Sequence, residues 1–359
     1  MKKQIKTLLA VSMLMQFVSL PILAEENEPE DPIVVEEEQT IEAEEVVVPE
    51  TNAEGDIASG FSNNVQWKVT ADHELIIIGT GDWEGDLPPW YEYASQITKA
   101  NGTVDEITSL ANMFKDCTNL KEVGLLGFDS SNVRDMSNMF AGCSSLENIP
   151  FLDRLVTSNV EDFSNMFSGC NALSFIDIHD FQTSSATNMS GMFKDCSSMY
   201  SLDLLGLDVR NVTDMSNMFA GCSSLEVLDL TGFESNNVLD FSNMFSGCIA
   251  LTYIDIEGFQ TSSATNMSGM FKDCSSMSSL EILGLDARNV TDMSNMFAGC
   301  SSLEELVFTG FKTNNVQDFS NMFSGCNALT FVDIHDFQTS SATNMSGMFK
   351  DCSSISSLD

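Results

Sequence analysis

The chain has 359 residues, with 53 Asp and Glu against 15 Lys and Arg, and a formal charge of −38 at pH 7. Such a balance repels nucleic acid and anionic membranes, and it favours cationic partners or divalent cations. At this length a single compact core would be near its upper limit, whereas a stack of repeats has no such limit.

Met1 to Ala24 begins with Lys2, Lys3 and Lys6, continues as an apolar run from Leu8 to Leu23, and ends Pro21-Ile22-Leu23-Ala24 ahead of two glutamates. This is the layout of a secretory signal peptide (residues 1–24), too short and lopsided for a membrane span. No cysteine sits near the cleavage point, so a lipid anchor is not supported. Residues 25–56 hold fourteen acids and no Lys or Arg, with Pro29, Pro32 and Pro49. One-signed charge at low hydrophobicity cannot offset ordering entropy, so this stretch reads as an acidic disordered linker. Pairing of Val34-Val35 or Val46-Val47-Val48 as a strand is the alternative.

Residues 57–109 contain all three tryptophans (Trp67, Trp83, Trp90), a β-rich run from His73 to Ile78, and turn signals at Gly79-Thr80-Gly81-Asp82 and Pro88-Pro89. The open end of a solenoid must be covered, so a β-hairpin cap is expected here. A separate ligand-binding module is the sharper alternative.

From residue 110 to 359 the frame Met-Phe-x-x-Cys recurs ten times, ending at Cys117, Cys143, Cys170, Cys196, Cys222, Cys248, Cys274, Cys300, Cys326 and Cys352. The spacing is 26 residues, with a single gap of 27 between Cys143 and Cys170. A fixed period of this length marks ten stacked coils, the last incomplete, each burying its apolar face only against its neighbours. In one coil Val212, Met215, Met218, Phe219 and Cys222 fall at helical spacing, with Thr213 or Asp214 as cap and Gly221 as terminator. Leu225-x-x-Leu228-x-Leu230 then alternates as a short strand, and Gly232-Phe233 turns the chain away. The expected fold is an α/β repeat: a leucine-rich-repeat solenoid with a parallel β-sheet on the concave face, short helical turns on the convex side and an N-terminal β cap.

The run from Asn211 to Glu226, followed by Leu228-Asp229-Leu230-Thr231-Gly232-Phe233, resembles the repeat of BspA-like leucine-rich-repeat surface proteins of bacteria. The tryptophan-containing lead-in resembles that family too. The resemblance implies a secreted or cell-surface adhesion and interaction protein, with no catalytic residues to carry over. One departure is visible: where ordinary repeats put Asn after the strand, this chain has Phe128, Phe181, Phe233, Phe259, Phe311 and Phe337, or Leu207 and Leu285. An apolar spine is therefore expected in place of an asparagine ladder.

A longer period overlies the short one. Asp-Phe-Ser-Asn-Met-Phe-Ser-Gly-Cys recurs at Asp162, Asp240 and Asp318, 78 residues apart, so the array grew by copying blocks of three coils. The cysteine column reads as buried free thiols, because parallel side chains stacked at about 4.8 Å fit disulfide geometry poorly. Disulfides between neighbouring coils are the alternative, since export favours oxidation. No Cys-x-x-Cys or Cys/His pair supports zinc. The Met-Phe pairs read as core.

The central outward place of the strand reads Gly124, Pro150, Asp177, Asp203, Asp229, Asp255, Glu281, Val307, Asp333 and Asp359. Two places before it, each three-coil block has one aromatic: Phe175, Tyr253 and Phe331. Exposed aromatics beside acids suit a contact surface, and a column of like charges has a cost that a basic partner would relieve. The candidate ligand-binding residues are therefore Asp177, Asp203, Asp229, Asp255, Glu281, Asp333, Phe175, Tyr253 and Phe331, with a solvated polar face as the plainer reading. A second column, Asp135, Asp162, Asn188, Asp214, Asp240, Asn266, Asp292, Asp318 and Asn344, is explained by capping, with calcium between coils as the alternative. His179 and His335 stand six coils apart, about 30 Å, and cannot share a site. No phosphate loop or Ser/His/Asp set is present, so neither an enzyme nor a cofactor or metal is expected.

These observations point to a secreted or surface-displayed monomer that binds an extracellular protein or glycan, cationic in character, through its concave face. No contact with nucleic acid and no membrane insertion is expected. The alternative is a passive surface spacer or coat protein without a specific ligand. Asp359 falls in the middle of a strand, as expected of a fragment of a longer protein.

Overall fold

The computed structural model describes residues 55–358, apart from 257, 281, 283, 284 and 309; the signal-peptide segment and nearly all of the acidic linker lie outside the described residues. Val65, Trp67 and Val69 alternate with polar neighbours, giving one apolar face to bury, whereas Leu75-Ile76-Ile77-Ile78 is apolar throughout and buries Leu75 and Ile77 fully and the other two in part. They form β1 (Ala58–Ser62), β2 (Val65–Val69) and β3 (Glu74–Thr80), an antiparallel meander. The next strands, β4 (Lys99–Asp105) and β5 (Glu122–Val123), add to β3 in parallel. The sheet thus changes from hairpin pairing to coil pairing as it meets the first repeat. Trp90 is fully buried, packs edge-on against Trp83 at 5.2 Å, and donates its indole N–H to the Met113 carbonyl of the first coil. The tryptophans therefore weld these strands to the solenoid.

The repeats stack as a β-solenoid. Phe114, Phe140, Phe167, Phe193, Phe219, Phe245, Phe271, Phe297, Phe323 and Phe349 form one continuous column, with ring centroids 5.2–5.8 Å apart and planes within 20° of parallel. Parallel rings at that separation are offset, the arrangement their quadrupoles favour. The thiols line up beside them, unpaired and buried from Cys117 through Cys326. Each thiol from Cys143 to Cys326 donates to the carbonyl of the phenylalanine in the preceding coil, at 3.0–3.2 Å. Cysteine here is a small core residue with one coil-to-coil hydrogen bond.

The expected helical turns are the main correction. Among the described residues the only helical segments are short 3₁₀ turns at Tyr91–Gln96 and Leu152–Arg154. Met215 to Leu225 instead forms consecutive tight turns, closed by Met218 N–H to Met215 O, Cys222 N–H to Phe219 O and Leu225 N–H to Cys222 O. Two residues per coil hold positive φ, Asn217 at 58° and Gly221 at 77°, and equivalents recur in all ten coils. A left-handed residue every four positions forbids an α-helix. It also turns alternate N–H groups along the stack. Met215, Asn217, Phe219 and Gly221 donate to the carbonyls of Asp240, Ser242, Met244 and Ser246 in the next coil, and the same four bonds recur at each junction. The apparent helical period came from Met215, Met218, Phe219 and Cys222, which do face inward, but on turns.

On the other side of the coil the strands are short: β6 (Val227–Asp229) pairs with β7 (Tyr253–Asp255), and β8 (Glu305–Val307) with β9 (Phe331–Asp333) and β10 (Ser357–Leu358), all in parallel. The 27-residue gap is a one-residue insertion at Pro150-Phe151, where Phe151 takes positive φ and a 3₁₀ turn follows.

At Gly221 an added Cβ would lie 2.2 Å from the Asp195 carboxylate oxygen and would also sit at φ +77°. Gly221→Ala should therefore lose about 1–3 kcal/mol, while Asn217→Gly, a residue at ease at positive φ, should stay within about 1 kcal/mol. Urea midpoints at unchanged slope distinguish these outcomes. Burial pushes the thiols of Cys117, Cys170, Cys222 and Cys326 up to about 12. A thiol reagent at pH 8 should thus leave the nine buried thiols from Cys117 to Cys326 unlabelled in the folded chain and react with all ten in guanidinium. Rapid native labelling at those positions would refute the column.

Candidate functional site

The strand side of the coil follows from alternation. Leu225, Leu228, Leu230 and Phe233 are buried, and Asp229 between them is exposed. In-register pairing sets Asp229 opposite Asp255, Val307 opposite Asp333, and Glu305 opposite Phe331. Tyr253 and Phe331 are half-buried, and the Tyr253 hydroxyl reaches Asp255 at 3.3 Å. Phe175, at the equivalent place in its own coil, is 45% exposed. Asp177 is exposed and Asp203 half-buried, both in segments without paired strands. Glu281 lies outside the described residues. The fold therefore joins Asp229 with Tyr253 and Asp255, and Phe331 and Asp333 with Glu305 and Val307, while Phe175, Asp177 and Asp203 stand on coils nearer the N-terminus.

Four of the central aspartates also have local work. Their Oδ1 atoms accept the backbone N–H two residues on: His179 to Asp177, Leu205 to Asp203, Thr231 to Asp229 and His335 to Asp333, at 2.8–3.2 Å. These Asx turns end the strand, which is why Asp is favoured there whatever else it does. Two coils add a histidine. Nδ1 of His179 lies 2.7 Å from Asp177 and its Nε2 3.2 Å from Asp180; His335 lies 2.7 Å from Asp333 and 3.4 Å from Asp336. With both ring nitrogens facing carboxylates, the imidazolium is the favoured form. Hydrogen bonds donated to Asp177 and Asp333 raise the two histidines above 6.5, and the histidines in turn hold those carboxyls low. An open polar groove beside His179 is lined by Gln182, Thr183, Ser184 and Asp208.

On the turn side, the Asp/Asn column caps as expected, but it opens turns rather than a helix: Asp214 accepts the Ser216 N–H at 2.8 Å. Asn188, Asn266 and Asn344 donate to Asp162, Asp240 and Asp318 in the preceding coil. Sequence reasoning missed two further columns. Thr183, Ser235 and Thr261 are buried hydroxyls that exchange hydrogen bonds with the backbone of the next coil at Asp208, Gln260 and Asp286. Asn211, Asn237, Asn289 and Asn315 donate to a backbone carbonyl in the preceding coil. An asparagine ladder exists after all, at the turn and not after the strand. The signal was available: small hydroxyls and Asn recur there at the same period as the cysteines. Among the described residues, no cluster of three or more His, Cys, Asp or Glu is arranged to hold a metal ion, and no helix is long and apolar enough to cross a membrane.

A histidine whose folded value is raised stabilises the fold below its unfolded value, and the contribution fades as pH rises through the folded one. Both imidazoles should titrate above 6.5 by NMR, and Asp177→Asn should lower the His179 midpoint while leaving His335 unmoved. An unshifted His179 midpoint in that variant would show that the pair does not form in solution.

A family profile described as "Mycoplasma protein of unknown function, DUF285" matches residues 108–226, 200–283 and 277–358. No curated protein matches by sequence. By structure the chain is similar to a leucine-rich repeat protein from Eubacterium ventriosum, at 17% identity over 85% of this chain and 91% of that one, with a TM-score of 0.41. It is similar to a leucine rich cell surface protein from Faecalibacterium prausnitzii at 16% identity over 86% and 96%, TM-score 0.35. A leucine rich repeat protein of T. pallidum matches at 16% identity over 61% and 91%, TM-score 0.30. The coil geometry itself is that of a β-solenoid of leucine-rich-repeat form, with parallel strands and almost no helix.

Proposed function

The chain belongs to the DUF285 family, and we propose that it is a secreted or surface-displayed interaction protein whose strand face holds a macromolecular partner by repeated contacts along the stack. The observation that carries this reading is apolar exposure on that face. The solenoid buries its apolar columns almost completely, yet Phe175, Leu205 and Val307 stand 45%, 68% and 43% exposed: Val307 on β8, Phe175 on the corresponding side of its own coil, and Leu205 in the turn closed on Asp203. A folded chain gains nothing from such side chains in water, and aromatic and aliphatic anchors beside polar groups are what contact surfaces use. Export is supported by the layout of Lys2 to Ala24.

A spacer role is favoured by a different observation, the copying of 78-residue blocks, which changes length without changing pattern. One experiment separates the two. The full chain on beads is presented with a panel of purified extracellular proteins, beside a Phe175→Ser/Leu205→Ser variant and a deletion of Thr183–Gln260. A binder loses capture at least tenfold in the double variant and weakens in the deletion. A spacer shows no capture to lose and only shortens, by about 15 Å for three coils.

A further inference from the structure

The partner's chemistry follows from how charge is divided between the two sides of the coil, and this step rests on the strand-face reading above. In seven consecutive coils, the segments from Leu173–Phe181 to Leu329–Phe337 hold twelve Asp and Glu, no Lys or Arg, and two histidines, His179 and His335, each set between two of those acids. The basic residues of the same coils, Lys194, Arg210, Lys272, Arg288 and Lys312, all lie outside those segments, and Arg210 and Arg288 are tied to Asp208 and Asp286 beside them. Among the described residues, no ion pair joins Asp203, Asp229, Glu304 or Glu305 to Lys or Arg. Parallel pairing holds Asp229 against Asp255 at the inter-strand spacing, where like charges repel. This predominantly acidic face also carries Phe175, Tyr253 and Phe331, whose rings can receive the stem and charge of a long cationic side chain.

We infer that the strand face docks a Lys- and Arg-rich protein segment, whose cations sit among the strand-face acids and whose aliphatic stems lie over Phe175, Leu205 and Val307. Acidic glycans, anionic lipid and nucleic acid are repelled by the same field, and a neutral glycan leaves the uncompensated acids unexplained.

The test uses the full chain and three probes in solution: a twelve-residue peptide of alternating Lys and Ser, its Glu-Ser counterpart, and neutral glycan oligosaccharides. Asn and Gln remove charge yet keep the Asx-turn acceptors, so Asp203→Asn/Asp229→Asn/Glu305→Gln is the strand-face variant. Asp135→Asn/Asp214→Asn/Asp292→Asn removes the same charge from the turn side. Saturable binding of the basic peptide is expected, weakened at least tenfold in the strand-face variant, within twofold of wild type in the turn-side variant, and falling as salt rises. Equal weakening in both variants would mean that net charge alone attracts the peptide, and would overturn the inference. Binding of neutral glycan and not of the basic peptide, lost on Phe175→Ser, would overturn the basic partner and leave the strand-face reading standing. Binding of no probe would overturn the basic partner too, with the strand face then judged by the bead experiment.

Discussion

The fold depends on hydrogen bonds that run along the stack on the turn side. In each coil the N–H groups of alternate residues, Met215, Asn217, Phe219 and Gly221 in one example, find their acceptors only in the next coil. Isolated parallel bridges follow the same line without interruption from Ser109–Asp135 to Asp318–Asn344. A single coil therefore leaves these donors without partners, and unpaired buried backbone groups are costly. Stacking satisfies them, and the same approach brings phenylalanine onto phenylalanine and thiol onto carbonyl. Backbone ladder, aromatic column and sulfur column are three consequences of one coil spacing.

That ladder also explains the three-coil superperiod. The second left-handed column reads Asp116, Gly142, Gly169, Asp195, Gly221, Gly247, Asp273, Gly299, Gly325, Asp351. Each Asp of the column that has a coil above it is followed there by Gly, whose missing Cβ is the space the carboxylate occupies: 2.6 Å at Gly142, 2.2 Å at Gly221 and 2.1 Å at Gly299. Duplicating one Asp-bearing coil would set a Cβ and a second carboxylate on the first. Duplicating a block of three repeats junctions that already fit. The unit of growth is thus set by sterics at the turn, at the residue immediately before each cysteine.

The solenoid, its period and its inward columns were legible because burial imposes one residue type at one place, and ten copies make the pattern visible. Helix and turn could not be separated from Met215, Met218, Phe219 and Cys222, since either conformation points them inward. What discriminates is Asn217 with Gly221, a pair of residues tolerant of positive φ four positions apart, and a helix-terminator reading absorbs Gly221 alone. The strand-face aspartates were legible as a column but not as Asx turns, because the two roles ask for the same residue. The His179–Asp177–Asp180 cluster depends on the direction in which the turn sends three neighbouring side chains, which spacing does not encode.

Stability and surface chemistry are placed on opposite sides of the coil. The turn side is bonded at every junction, whereas among the described residues strand pairing in the coils is confined to β5, β6–β7 and β8–β9–β10, with isolated bridges at Val104–Phe128 and Ser279–Glu305. Because the spacing is fixed from the turn side, the strand side need not be optimised for its own cohesion. It can hold Asp229 against Asp255 and leave Phe175 and Leu205 in water at a cost that is small beside four backbone bonds and an aromatic contact per junction. An isolated sheet with that decoration would have to pair well to exist at all. Here the scaffold tolerates a face that is poorly satisfied by itself, and such a face is one that a complementary surface can improve.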